Sequence, residues 1–288
     1  MSINRNKDIL LGLGLISEET IMPYADKVRD REDVGVLVDS ASGIIFLDRS
    51  DHVDIAHYED IEGGNYWGAP TRADALKKYA YDDERRFKQF TSYIKDKDVV
   101  DVGCGTGGFM DLAAKETRSI VGVEPQKYVH RELSNLGYTM YPLTSDLPKH
   151  SCDVATMFHT LEHVTEPIAV LKEVKESLRP GGILIVEVPH AKDVLLSLKT
   201  FQDFTLWSEH LILHTKESLR TFLEEAGFAD IEILGYQRYP LSNHAGWLIN
   251  QKPGGQNSYQ ELDAVTEYYN SLLVEKDKTD TIIAIAKV

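Results

Sequence analysis

The sequence predicts an α/β protein built on a doubly wound, mostly parallel sheet. Three observations predict it. Between residue 98 and about residue 236, short apolar runs alternate with amphipathic stretches, the pattern of successive βαβ units. The first of these runs, 99–102, leads directly into glycines at 103, 105 and 107. The intervening helices carry their own punctuation: Pro167 opens one before Pro180-Gly181-Gly182, and Thr215 and Gly227 bracket another.

Taken in chain order, the elements read as follows. Runs 35–38 and 43–47, split by Asp39-Ser40-Ala41-Ser42, suggest a hairpin, and 63–68 is a glycine-punctuated loop carrying Tyr66 and Trp67. Thr71, with Asp74 three residues on, caps a helix whose apolar positions include Leu76, Tyr79, Phe87, Phe90 and Ile94. Strands are expected at 99–102, 120–123, 153–158, 183–188, 231–234 and 281–286, and a helix at 109–116. Ile168, Leu171, Val174 and Leu178 share one helical face; Leu219, Phe222, Leu223 and Ala226 share another. A loop rich in Asn, Gly and Pro follows residue 236, then a helix with the capping box Ser258 to Glu261. The organisation is an accessory segment 1–84, a core 85–236, and a cap with the last core strand, 237–288.

Bulk properties narrow the function. The chain has 288 residues, 31 basic against 46 acidic, and a formal charge of −15. Nucleic-acid binding depends on Lys and Arg displacing phosphate counterions, so a nucleic-acid partner is not expected. No basic block favours a membrane surface, and the apolar run 9–16 is too short to span a bilayer. Cys104 and Cys152 are the only cysteines, too few for a four-thiolate zinc site; no metal is expected. A cytoplasmic protein is expected, with a homodimer left open.

A strand running into Gly103, Gly105 and Gly107 brings backbone close to a ligand at the carboxyl end of the sheet. Asp101 stands two residues before the first glycine, and Glu124 ends the next strand, placed to accept two hydrogen bonds from a ribose diol. Gly103, Gly105 and Gly108 equally satisfy the dinucleotide pattern G-x-G-x-x-G. These features together indicate a nucleoside-containing ligand, without saying which.

Residues 98–107 resemble the first motif of class I S-adenosylmethionine-dependent methyltransferases. Val121 to Pro125 resembles that family's acidic strand end, 152–164 its fourth strand and loop, and 178–189 its fifth. The resemblance covers roughly residues 85–236. It implies a seven-stranded Rossmann-like fold and S-adenosylmethionine as cofactor. It places Asp101, Gly103, Cys104, Gly105, Thr106 and Gly107 at the methionine end, Glu124 and Pro125 at the ribose, and Phe158 and His159 near the sulfonium. An acidic residue commonly follows the third strand near the adenine. Here the segment is compressed, so Ser145 and Asp146 are both candidates.

Methyl transfer is an in-line displacement that needs positioning and exclusion of water, with a base only where the acceptor must lose a proton. Trp207-Ser208-Glu209-His210 resembles the Glu-His pair of sugar C-methyltransferases, which makes Glu209 and His210 acid–base candidates beside a packing role; His159 is a third. Tyr66, Trp67, Arg72, His190 and His244 are candidate acceptor contacts, with Tyr239, Asn243 and Trp247 as further cap residues. The expected activity is methylation of a small polar acceptor, a sugar or nucleotide-linked sugar, at oxygen or carbon. A nicotinamide-dependent oxidoreductase and a non-catalytic cofactor-binding protein are the competing readings.

Overall fold

A computed structural model describes residues 4–53, 68–256 and 263–288. Its centre is a seven-stranded sheet in the order β10-β11-β8-β7-β4-β5-β6. These strands are β4 (Asp98–Val102), β5 (Ser119–Val123), β6 (Thr139–Tyr141), β7 (Cys152–Phe158), β8 (Leu178–Pro189), β10 (Ala229–Tyr236) and β11 (Thr281–Lys287). β6, β5, β4, β7 and β8 run parallel, while β11 enters antiparallel to both β8 and β10. β4 lies between β5 and β7, so the connections diverge on either side of it and open a crevice at its carboxyl end.

A second sheet joins β1 (Ile21–Ala25), β2 (Val36–Asp39), β3 (Ile45–Leu47) and β9 (Ile212–Leu213). The hairpin expected in the accessory segment is β2–β3. Its outer strand β3 pairs with β9, Ile45 opposite Leu213. That pairing stitches the first fifty residues to the loop carrying Glu209 and His210. Ile44, Phe46 and Leu47 share one buried core with Leu161, Leu211, Leu219 and Phe222.

The helices follow their signals. α1 (Arg5–Gly12) precedes the accessory strands. α2 (Arg72–Ile94) starts on Thr71, whose side chain accepts from Asp74 N, and runs unbroken across the expected boundary at residue 84. α3 (Gly108–Ala113) is shorter than the stretch 109–116, because the chain past Ala113 continues in turns. α4 (Lys127–Asn135) follows β5, and α5 (Pro167–Ser177) has proline in its first turn. Leu178 belongs not to that helix but to β8, where it pairs with Cys152. α6 (Lys199–Thr205), α7 (Lys216–Glu225), α8 (Leu241–Asn250) and α9 (Asp263–Glu275) complete the set. Thr215 caps α7 as expected. Phe90 and Ile94 of α2 pack with Phe109, Met110 and Phe158 in a second buried cluster. Among the described residues no helix is long and apolar enough to cross a membrane.

Candidate active site

The loop after β4 is shaped by its glycines. Gly103, Gly105 and Gly107 all have positive φ, at 69°, 51° and 75°. Thr160, in the loop after β7, fills the space a side chain at Gly103 would need: a Cβ there would meet Thr160 Cγ2 at 2.5 Å. Arg72 pins the loop from outside, donating from Nε to Thr106 O at 2.8 Å and from Nη2 to Asp111 Oδ2 at 2.6 Å.

A cleft of about 400 Å³ opens beside this loop, bordered by Gly103, Gly105, Glu124, Pro125, Ser145 and His159. Glu124 is buried, and each carboxylate oxygen accepts one backbone N–H at 3.0 Å: Oε2 from Gly105, Oε1 from Gln126. Burial raises its pKa to about 7, opposed by those two bonds. Asp101 lies beneath the cleft rather than on its wall. Its Oδ1 accepts from Thr156 Oγ1 at 2.7 Å, and burial raises its pKa to about 7, with Asp83 and Glu124 adding repulsion. Asp83 on α2 is raised to about 6, chiefly by burial. Two buried carboxylates, Asp101 and Glu124, and the half-buried Asp83 thus surround the loop, each favoured in its ionised form by an arriving cation.

The loop after β7 turns at His159, a non-glycine residue with φ of 49°. Its ring has a nitrogen on each of two networks. Nδ1 is 3.0 Å from Glu162 Oε1, and Nε2 is 3.0 Å from Arg238 Nη1. Glu187 Oε1 also approaches Nε2, at 3.3 Å, but that carboxylate is already held by Arg85 and Arg86. Arg238 is in turn paired with Asp82. A guanidinium only donates, so His159 Nε2 accepts and Nδ1 carries the proton toward Glu162.

His159 also borders a second cavity of about 310 Å³. Its walls combine Phe201, Phe204, Tyr239 and Trp247 with the polar groups His190, Asp193, His210, Arg238, His244 and Asp280. Burial lowers the pKa of His190 and His244 to about 4 and of His210 to about 3, so all three imidazoles are neutral at neutral pH. Asp193 is raised to about 8 by burial and by Asp280.

Residues 76–233 match a family model described as a methyltransferase domain. The chain belongs to that family. It is a member of the class I S-adenosylmethionine-dependent methyltransferase family. A tRNA U34 carboxymethyltransferase of Desulfotalea psychrophila is 28% identical over 182 residues, covering 55% of this chain and 54% of the relative. A probable S-adenosylmethionine-dependent methyltransferase of Mycobacterium tuberculosis is 25% identical, covering 54% and 58%. The chain spans about half the length of these curated relatives. A S-adenosylmethionine-dependent methyltransferase structure from Archaeoglobus fulgidus matches 74% of the chain and 98% of its own, with 19% identity and a TM-score of 0.52. It supports the fold.

The first cleft of the methyltransferase fits S-adenosylmethionine. The Gly103 and Gly105 backbone is free of Cβ atoms where the loop meets the cleft. Glu124 keeps a lone pair on each oxygen for a diol, since each is used once. Buried carboxylates suit a cationic ligand.

Several expected site residues sit elsewhere. Phe158 does not border the cleft; it stacks on Phe90 at 5.6 Å and meets Phe109 edge-on at 5.1 Å in the core. Between Ser145 and Asp146 the structure separates roles: Ser145 borders the cleft, whereas Asp146 turns back to accept from Leu143 N at 3.3 Å. Cys104 and Thr106 shape the loop, Thr106 through the carbonyl that holds Arg72; Arg72 is therefore a loop clamp rather than an acceptor contact. Gly107 starts α3. His190 and His244 do reach the second cavity. Tyr66 and Trp67 lie outside the described residues.

Glu209 and His210, expected as one acid–base unit, open on to different cavities of the methyltransferase. Glu209 borders the cofactor cleft and His210 the second cavity. The imidazole Glu209 approaches is His163, at 4.0 Å, and His163 stacks edge-on against His210 at 5.0 Å. Sequence reasoning missed Arg238, Asp193 and Asp280. Nothing in their local sequence marks them, because all three become site residues only through folding of distant segments.

Proposed function

We propose that this methyltransferase methylates a small polar acceptor, a sugar being the best fit, bound in the second cavity with the methyl donor in the first. The observation that carries the reading is that the two cavities share His159 as a common wall. Bound S-adenosylmethionine supplies the electrophilic methyl group. The chain's own residues position and desolvate: the glycine loop and Glu124 hold the nucleoside, and His159 fixes the partition through Glu162 and Arg238. The aromatic wall formed by Phe201, Tyr239 and Trp247 suits the apolar face of a sugar ring. Around it, neutral imidazoles offer a donor or an acceptor to hydroxyls. His210 borders the acceptor cavity with a depressed pKa and so keeps a lone pair at neutral pH for an acceptor hydroxyl.

A cavity of about 310 Å³ takes a monosaccharide and leaves the nucleotide of a sugar nucleotide at its mouth. A tRNA acceptor is the second reading, favoured by the names of the carboxymethyltransferase relatives and opposed by the charge of −15. The deciding experiment is a methyl-transfer screen with labelled donor over monosaccharides, sugar nucleotides and bulk tRNA. Label in the sugar fractions, much reduced in His210→Ala, supports the reading; label in tRNA alone overturns it.

A further inference from the structure

Among the described residues, one acid of the second cavity, Asp193, has no cationic partner. Asp193 is 8% exposed, and its Oδ1 accepts from Leu195 N at 2.8 Å, capping a short turn. Oδ2 makes no hydrogen bond among the described residues. The titratable groups that face Asp193 are Asp280 before β11, Tyr24 on β1 and Tyr269 on α9, and none is a cation. Among the described residues, the one guanidinium on the cavity wall, Arg238, is committed to Asp82 and His159. Asp280 is committed as well, to the backbone N–H groups of Arg238 and Tyr239 and to Gln237 Nε2 at 2.7 Å. Capping the turn does not explain Asp193, since asparagine or serine would cap as well without burying an acid.

From this we infer that the acceptor carries an ammonium group, held by Asp193 against the aromatic wall of Phe201, Tyr239 and Trp247. The inference rests on the second cavity being the acceptor site. An ammonium ion supplies the missing counter-charge, donates to Oδ2, and gains from the ring faces beside it. Among small polar acceptors this selects amino sugars over neutral sugars. The ammonium group is a recognition handle here, and the methylated atom is not fixed by it.

The test is calorimetry on the full chain saturated with S-adenosylhomocysteine, using matched pairs: D-glucosamine against D-glucose, and ethanolamine against ethylene glycol. At least one amine is expected to bind about tenfold or more tightly than its neutral partner. Asp193→Asn, which keeps the turn cap and the shape, is expected to erase that preference. Amine binding near pH 7 is expected to release a proton in wild type but not in the variant, read from heats in two buffers of different ionisation enthalpy. Equal binding of amine and alcohol, binding of neither, or a preference surviving in Asp193→Asn overturns the inference. Binding of S-adenosylhomocysteine is measured in the same samples. Its failure would strike the methyltransferase reading itself, whereas normal binding with no amine preference strikes only the ammonium site.

Discussion

Arg238 Nη1 lies 3.0 Å from His159 Nε2, and the opposite nitrogen of the same ring lies 3.0 Å from Glu162 Oε1. Because the guanidinium can only donate, this contact sets the tautomer of a residue shared by both cavities. It also couples β10's end to the loop after β7. Arg238→Met removes the donor, frees the ring to flip, and leaves the half-buried Asp82 with Arg85 alone. The expected loss is about 2 kcal/mol of stability, less than for an uncompensated buried charge because Arg85 stays paired with Asp82. Urea unfolding of the variant measures it, and a loss under about 1 kcal/mol would contradict the assignment.

Gly103 carries a steric prediction. Its φ of 69° and the proximity of Thr160 leave no room for a methyl group. Gly103→Ala is expected to cost about 2 kcal/mol in stability, from backbone strain and overpacking combined. Cofactor affinity should weaken with it, because the loop must move. Adding Thr160→Gly removes the blocking side chain and should restore part of both losses. If the double variant is no better than the single one, the clash with Thr160 is not the cause.

Asp101 and Glu124 predict an unusual pH dependence. Burial raises both to about 7, from ordinary values of 3.8 and 4.5. The folded chain therefore holds protons that the unfolded chain has lost over the window from about pH 4 to 7. With more protons bound in the folded state, stability without ligand falls as pH rises through that window. A cationic ligand favours the ionised carboxylates, so affinity for S-adenosylmethionine is expected to rise about tenfold from pH 6 to pH 8. Asp101→Asn should flatten both curves. Thermal unfolding and calorimetry across pH test this, and a ligand-free stability that climbs from pH 5 to 7 would count against it.

Much of the fold was legible because strong local signals agreed with one another. Thr71, Pro167 and Thr215 mark helix starts that the structure reproduces, and the period of the apolar runs located six of the seven core strands. β6 and β9 were missed because three and two residues are too few to show a period. Gly103, Gly105, Glu124 and Ser145 meet at the cofactor cleft because they sit at the carboxyl ends of neighbouring strands, where sequence order predicts space. The acceptor side was far less legible. Arg238, Asp193 and Asp280 come from three segments that only the antiparallel insertion of β11 brings together. Glu209 and His210 mislead for a related reason: on this irregular loop each borders a different cavity, with the His163 ring beside both.

That divergence yields a kinetic prediction. Glu209 borders the first cleft beside His163, whereas His210 borders the second cavity, the proposed acceptor site. If they acted as one acid–base pair, removing either would depress the same kinetic constant. Their placement predicts a split instead. Glu209→Gln should raise KM for S-adenosylmethionine by several-fold while leaving KM for the acceptor near wild type. His210→Ala should raise KM for the acceptor and lower kcat by only about tenfold, because an imidazole with a pKa of about 3 accepts a hydrogen bond from the acceptor hydroxyl but is a weak base. Because His210 is neutral well below neutral pH, the wild-type rate should show no fall attributable to it between pH 6 and 8. The double variant separates the two arrangements: independent sites give multiplied losses in kcat/KM, whereas a coupled pair gives a double loss no larger than the greater single one.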